Sequence, residues 1–202
     1  MITESILMNA RVFRNNQISK MDNCDRLFPG ESKSQLIDHC NRVEQMVIEI
    51  GEAEQVAKIE SLQLAAILHD VGKVYSYKNH ASIGAEMVLK EYENKIDKTT
   101  LNYVVTLVRE HSNKTGTTLA QMVLDDADLL DETGAMGILM QISNVSKSDE
   151  LFYDKVRQSL NREQRYQEKI YKQLRTKTGK ILMKDKMKLL QAFNYQLEKE
   201  LR

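Results

Sequence analysis

The chain has 202 residues with no net charge, one proline, eight glycines, no tryptophan and two cysteines. That length can bury one good core, and the scarcity of proline and glycine beside abundant Leu, Lys, Glu, Gln and Met favours an all-α protein without a second independent domain. Cys24 and Cys40 form no C-x-x-C spacing and no disulfide framework, which suits a reducing compartment. The zero charge hides an asymmetry: residues 1–154 carry 15 Lys/Arg against 24 Asp/Glu, and residues 155–202 carry 14 against 5. The two parts should attract each other, so a basic face on an acidic body is expected ahead of a nucleic-acid partner. The opening MITESILMNARVF lacks a basic segment followed by an apolar one, and no apolar run approaches a membrane span; a soluble, cytoplasmic protein is expected.

Residues 1–31 read as an N-terminal arm with at most one short helix, because periodicity is weak and Phe28-Pro29-Gly30 is a turn signal. Ser32-x-x-Gln35 is a capping box that opens a helix with Leu36, Val43, Val47 and Ile50 on its apolar face, and Gly51 reads as its end. His39 falls on that face. A helix containing Val56, Ile59, Leu62 and Ala66 runs into adjacent His69 and Asp70, with Gly72 as a stop signal. A carboxylate at the buried end of a core helix costs several kcal/mol unless it meets a cation, strong donors or a metal. His80 stands at the mouth of the next helix, where capping is the structural alternative. Asp97 is an N-cap for a helix carrying Leu101, Val104, Val105 and Val108, which leads to His111 at its C-terminal end, where the helix dipole favours a charged imidazole.

Thr118-x-x-Gln121 is a second capping box, opening a segment with four aspartates in seven residues. On a helical wheel Asp125, Asp128, Asp131 and Glu132 share one arc while Asp126 lies among the apolar residues, which nominates Asp126 as the buried acid. From Glu150 onward two charged amphipathic helices flank a turn at Thr176–Gly179. Val156, Leu160, Ile170 and Leu174 form one stripe, interrupted by Glu163 and Gln167, and Met183, Met187, Leu190, Leu197 and Leu201 form the other. These predict a helical hairpin over 149–202 packed on a helical domain over 32–148, within one globular unit.

All four histidines lie between residues 39 and 111, each inside or at the end of an apolar helix. With Asp70 and an acid from 125–128 they make a mixed imidazole and carboxylate set, which suits Mn, Fe, Co, Ni or Zn better than Ca.

His39, His69-Asp70 and the aspartate cluster, in that order, resemble the H…HD…D signature of the HD-domain superfamily of metal-dependent phosphohydrolases. LHDVGK, His80-Ala81-Ser82-Ile83-Gly84-Ala85, Glu110-His111 and the Asp126–Ile138 segment resemble a group of small bacterial HD proteins over roughly residues 32–145. The resemblance implies an all-α bundle of helices around a metal held by His39, His69, Asp70 and Asp128. Matching Ala-Asp before Leu-x-Asp gives the last place to Asp128, against the Asp126 of the wheel. The family's dinuclear members place histidines where His80 and His111 fall, so one ion or two are both open. The implied activity is metal-assisted hydrolysis, in which the metal lowers the pKa of bound water. Asp70 and Lys73 are the implied catalytic groups, and Lys73 and Arg42 are candidates to contact substrate phosphate. The implied substrate is a nucleotide or related small phosphate compound, with cleavage of a nucleoside triphosphate to monophosphate and pyrophosphate as the narrower expectation. The alternatives are a noncatalytic metal or nucleotide-binding module and a mononuclear 5'-nucleotidase.

Overall fold

The computed structural model describes residues 2–21 and 32–201; the Phe28-Pro29-Gly30 signal and Cys24 lie outside them. The described residues contain no strand. Their nine helices are α1 (Glu4–Ser19), α2 (Lys33–Ala53), α3 (Ile59–Leu68), α4 (His80–Tyr92), α5 (Lys98–Glu110), α6 (Leu119–Asp131), α7 (Ala135–Ser143), α8 (Phe152–Gln173) and α9 (Lys177–Glu200). Short 3-10 turns at Val71–Val74 and His111–Asn113 follow α3 and α5. The chain forms two compact units, Met1–Asp128 and Leu129–Arg202.

In the first unit α3 is central. Every residue from Leu64 to Leu68 is fully buried, as a helix apolar on all sides must be, and α1, α2 and α5 pack around it. The expected short helix of an N-terminal arm is instead the 16-residue α1, capped by Thr3 and burying Leu7, Ala10 and Ile18. Its stripe is hard to read because Arg14, also buried, interrupts it. The capping box at Ser32 and Gln35 forms as expected, Asp97 caps α5 through Thr100 N, and Thr118 and Gln121 cap α6 reciprocally.

Two glycines expected to stop helices serve close packing instead. Gly51 lies inside α2, where a Cβ would strike the Ile59 side chain. Gly72 lies beyond the end of α3, where the 3-10 turn crosses α4; a Cβ there would collide with the His80 carbonyl oxygen and come within 2.5 Å of Gly84 N. This backbone-on-backbone crossing fixes Asp70 relative to His80.

In the second unit, the segment opened by Thr118 breaks at Gly134, whose φ of 68° ends α6 and starts α7. Helices α7, α8 and α9 pack on one another through Ile138, Val156, Leu160 and Leu190, with Ile142, Phe152, Phe193 and Leu197 beside them. The polar interruptions of the α8 stripe are buried as a bonded pair: Gln167 Nε2 donates to Glu163 Oε1 at 2.9 Å. Burial raises the Glu163 pKa.

Gly72→Ala should cost at least about 1–3 kcal/mol, the range for overpacking, and Gly84→Ala less, because its added Cβ would stand 3.4 Å from its nearest neighbours. Urea unfolding of both variants checks this; equal stability would contradict the crossing. Deleting residues 155–202 should uncover Ile138 and Ile142 and give aggregation in size-exclusion chromatography, in contrast to a soluble monomer.

Candidate metal centre

The first unit brings the candidate residues together from five segments. His39 comes from the second turn of α2, His69 caps the C-terminus of α3, and Asp70 begins the following 3-10 turn. His80 is the first residue of α4, His111 caps the C-terminus of α5, and Asp128 lies on α6.

Three of the imidazoles are fixed the same way. Nδ1 of His69, His80 and His111 bonds the carbonyl oxygen three residues earlier, on Ala66 at 2.7 Å, Tyr77 at 2.6 Å and Val108 at 2.7 Å. A carbonyl can only accept, so Nδ1 carries a proton, and a ring that is neutral then turns an Nε2 lone pair inward. For His69 and His111 the acceptor belongs to the last helical turn, where carbonyls lack an intrahelical partner.

These nitrogens and the two carboxylates form two sets that share Asp70. On one side His39 Nε2 lies 3.2 Å from His69 Nε2, 3.3 Å from Asp70 Oδ2 and 3.3 Å from Asp128 Oδ1. His69 Nε2 is 3.5 Å from Asp70 Oδ2 and 3.8 Å from Asp128 Oδ1. On the other side Asp70 Oδ1 lies 3.3 Å from His80 Nε2 and 3.6 Å from His111 Nε2, and the two nitrogens are 3.1 Å apart. Four ligands at about 2.1 Å from one ion at tetrahedral angles stand about 3.4 Å from one another. Both sets therefore have the dimensions of a coordination shell.

The donor chemistry supports the same fit. Nε2 of His80 and His111 face each other at 3.1 Å, and with both rings neutral and protonated at Nδ1 they would meet lone pair to lone pair, an arrangement that repels unless a cation lies in reach. Burial depresses the His69 pKa to about 3 and also lowers that of His80, which keeps both imidazoles neutral at pH 7. Burial works against ionisation of Asp70 and Asp128, but the ammonium groups of Lys73 beside the first and Lys114 beside the second hold both well below the usual carboxylate range. His69, His80, Asp70 and Asp128 are thus already in the protonation states a metal requires.

Other candidates stand as follows. Lys73 Nζ is 2.6 Å from Asp70 Oδ2 and lies over the Tyr77 ring. Arg42, half-buried on α2, is three residues beyond His39, and its candidacy as a phosphate contact rests on that position alone. Asp126 is fully buried, as the wheel indicated, but Asp125 and Asp131 of the opposite arc are also buried, and Asp128 Oδ1 lies 3.3 Å from His39 Nε2. Cys40 lies beside His69 and Asp70, but burial raises its thiol to about 11, and it packs in an apolar cluster with Ile18, Met21, Leu36 and Val74. Sequence reasoning missed Lys114, whose ammonium bonds Asp128 Oδ2. It lies in a polar stretch, SNKTGT, that carries no periodicity.

Comparison with known proteins agrees with this geometry. The family model of the HD domain matches residues 36–133. An HD-superfamily hydrolase from Bacillus thuringiensis superposes with a TM-score of 0.68 at 18% identity, covering 98% of this chain and 97% of that one. Bacillus subtilis YpgQ gives 0.65 at 17%, covering 96% of each chain. YpgQ in complex with ADP gives 0.62 at 19%, covering 96% of this chain and 97% of that one. At these identities the likeness is one of fold. No curated protein matches the sequence.

His69→Ala and Asp70→Ala should each lose bound metal while circular dichroism stays helical, because each removes a donor from the shared cluster without opening the α3 core. Elemental analysis of the purified variants checks this, and stoichiometric metal in both would contradict it.

Proposed function

We propose that this chain, whose residues 36–133 are an HD domain and which is in general terms a metal-dependent phosphohydrolase, hydrolyses a phosphate bond of a nucleotide. The narrower reading is cleavage of a nucleoside triphosphate to monophosphate and pyrophosphate. The observation that carries it is Asp70, which turns one oxygen to His39, His69 and Asp128 and the other to His80 and His111. That division supports a site that could hold two divalent transition ions.

His39, His69, Asp70 and Asp128 would hold one ion, and His80, His111 and Asp70 the other. When bound, the metal supplies Lewis-acid stabilisation of a phosphoryl oxygen and a nucleophilic water at neutral pH. The protein's own groups do the rest. The Nδ1 bonds to Ala66, Tyr77 and Val108 keep three rings from rotating or changing tautomer, so no reorganisation is needed as charge develops. Lys73 and Lys114, paired with Asp70 and Asp128, bring two ammonium groups to an anionic substrate. That YpgQ has been seen in complex with ADP supports a nucleotide over other phosphate compounds.

Two measurements test the reading. Elemental analysis should give about two ions per chain, falling to about one in His80→Ala and in His111→Ala; a saturating content of one, indifferent to both substitutions, would leave a mononuclear site. A panel of nucleoside mono-, di- and triphosphates assayed with Mn, Co or Ni should give pyrophosphate from triphosphates, abolished by chelator. Activity confined to monophosphates or cyclic dinucleotides, or absent with every metal, would overturn it.

A further inference from the structure

Lys114 is unusual in its backbone as well as in its partner. It follows the 3-10 turn His111–Asn113 with φ 54° and ψ 29°, a left-handed conformation that glycine or asparagine adopts far more readily. Gln55 and Lys58 share that conformation, so what sets Lys114 apart is the partner of its side chain. That side chain is 23% exposed, and its ammonium bonds Asp128 Oδ2 while Oδ1 of the same carboxylate faces His39. Lys73 bears the same relation to Asp70, whose Oδ2 also faces His39. Two ammonium groups thus converge on the His39 side of the cluster.

The charge left over for a ligand follows from these pairs. Lys73 pairs with Asp70 and Lys114 with Asp128, so these two carboxylates leave the charge of bound ions available to a ligand. That remaining charge favours the more highly charged of two phosphate ligands, a triphosphate over a monophosphate. Without Lys114, Asp128 would cancel part of it.

We propose that Lys114 is a specificity-determining residue: its ammonium, held in place by Asp128, binds a phosphate adjoining the one that reacts and so selects polyphosphates over monophosphates. The inference rests on the phosphohydrolase reading for the presence of the ions. The alternative role is a purely positional one, in which Lys114 only orients Asp128.

The test uses the full chain loaded with Mn²⁺ and calorimetric titration with a nonhydrolysable α,β-methylene nucleoside triphosphate and with a nucleoside monophosphate. Lys114→Gly, which suits the left-handed backbone and so keeps the turn, should weaken the triphosphate at least about tenfold and the monophosphate less than about twofold. Lys114→Arg should recover most of the difference, and metal content should be equal in all three proteins. Equal weakening of both ligands, loss of metal from the glycine variant, or no triphosphate binding by the unsubstituted protein would overturn the proposal. Hydrolysis of an ordinary triphosphate, followed in parallel, separates the two readings. Lys114-dependent binding without turnover would sink the phosphohydrolase reading and leave this one, whereas turnover and binding unimpaired in the glycine variant would do the reverse.

Discussion

The constraint on which the first unit depends is the buried carboxylate of Asp70, 2% exposed and faced by the Nε2 atoms of four histidines. Taking a carboxylate out of water costs several kcal/mol, and neutral imidazoles that offer lone pairs do nothing to offset it. Lys73 meets one of its oxygens. The other oxygen faces His80 and His111 at 3.3 and 3.6 Å, a spacing at which one cation would meet all three groups. The fold therefore carries at its centre an arrangement that is costly by itself and favourable around metal.

The surrounding helices make that arrangement rigid with few devices. α3 and α5 both end on a histidine whose Nδ1 returns to a last-turn carbonyl, so one bond completes the helix end and sets the tautomer. The crossing of Gly72 and Gly84 brings the 3-10 turn against α4, which places Asp70 and His80 in register. His39 reaches the same point from α2 because Leu36, Cys40, Val43 and Val47 bury the flanking positions of its face. Packing energy from apolar side chains thus holds polar groups that would not choose one another's company.

Much of this is legible in the sequence, for reasons that differ by residue. The capping boxes and the Asp97 cap are local chemistry and appear where their residues predict. Histidines at the ends of apolar helices are legible because periodicity gives both the helix and the buried end. The wheel singles out Asp126 as the buried acid, but the structure buries Asp125 and Asp131 as well; the family motif points instead to Asp128, whose carboxylate lies beside His39. Gly51 and Gly72 were misread as helix stops because a glycine required for close approach looks the same in sequence as one required for a turn. Lys114 is invisible for a related reason: its significance lies in a partner fourteen residues away.

Crystals grown with Mn²⁺ and measured at a wavelength that gives anomalous scattering from manganese test the central claim most directly. Two peaks should flank Asp70 at a separation of about 3.5–4 Å, one against His39, His69 and Asp128 and the other against His80 and His111. Peaks only at surface carboxylates, with none in reach of Asp70, would contradict it.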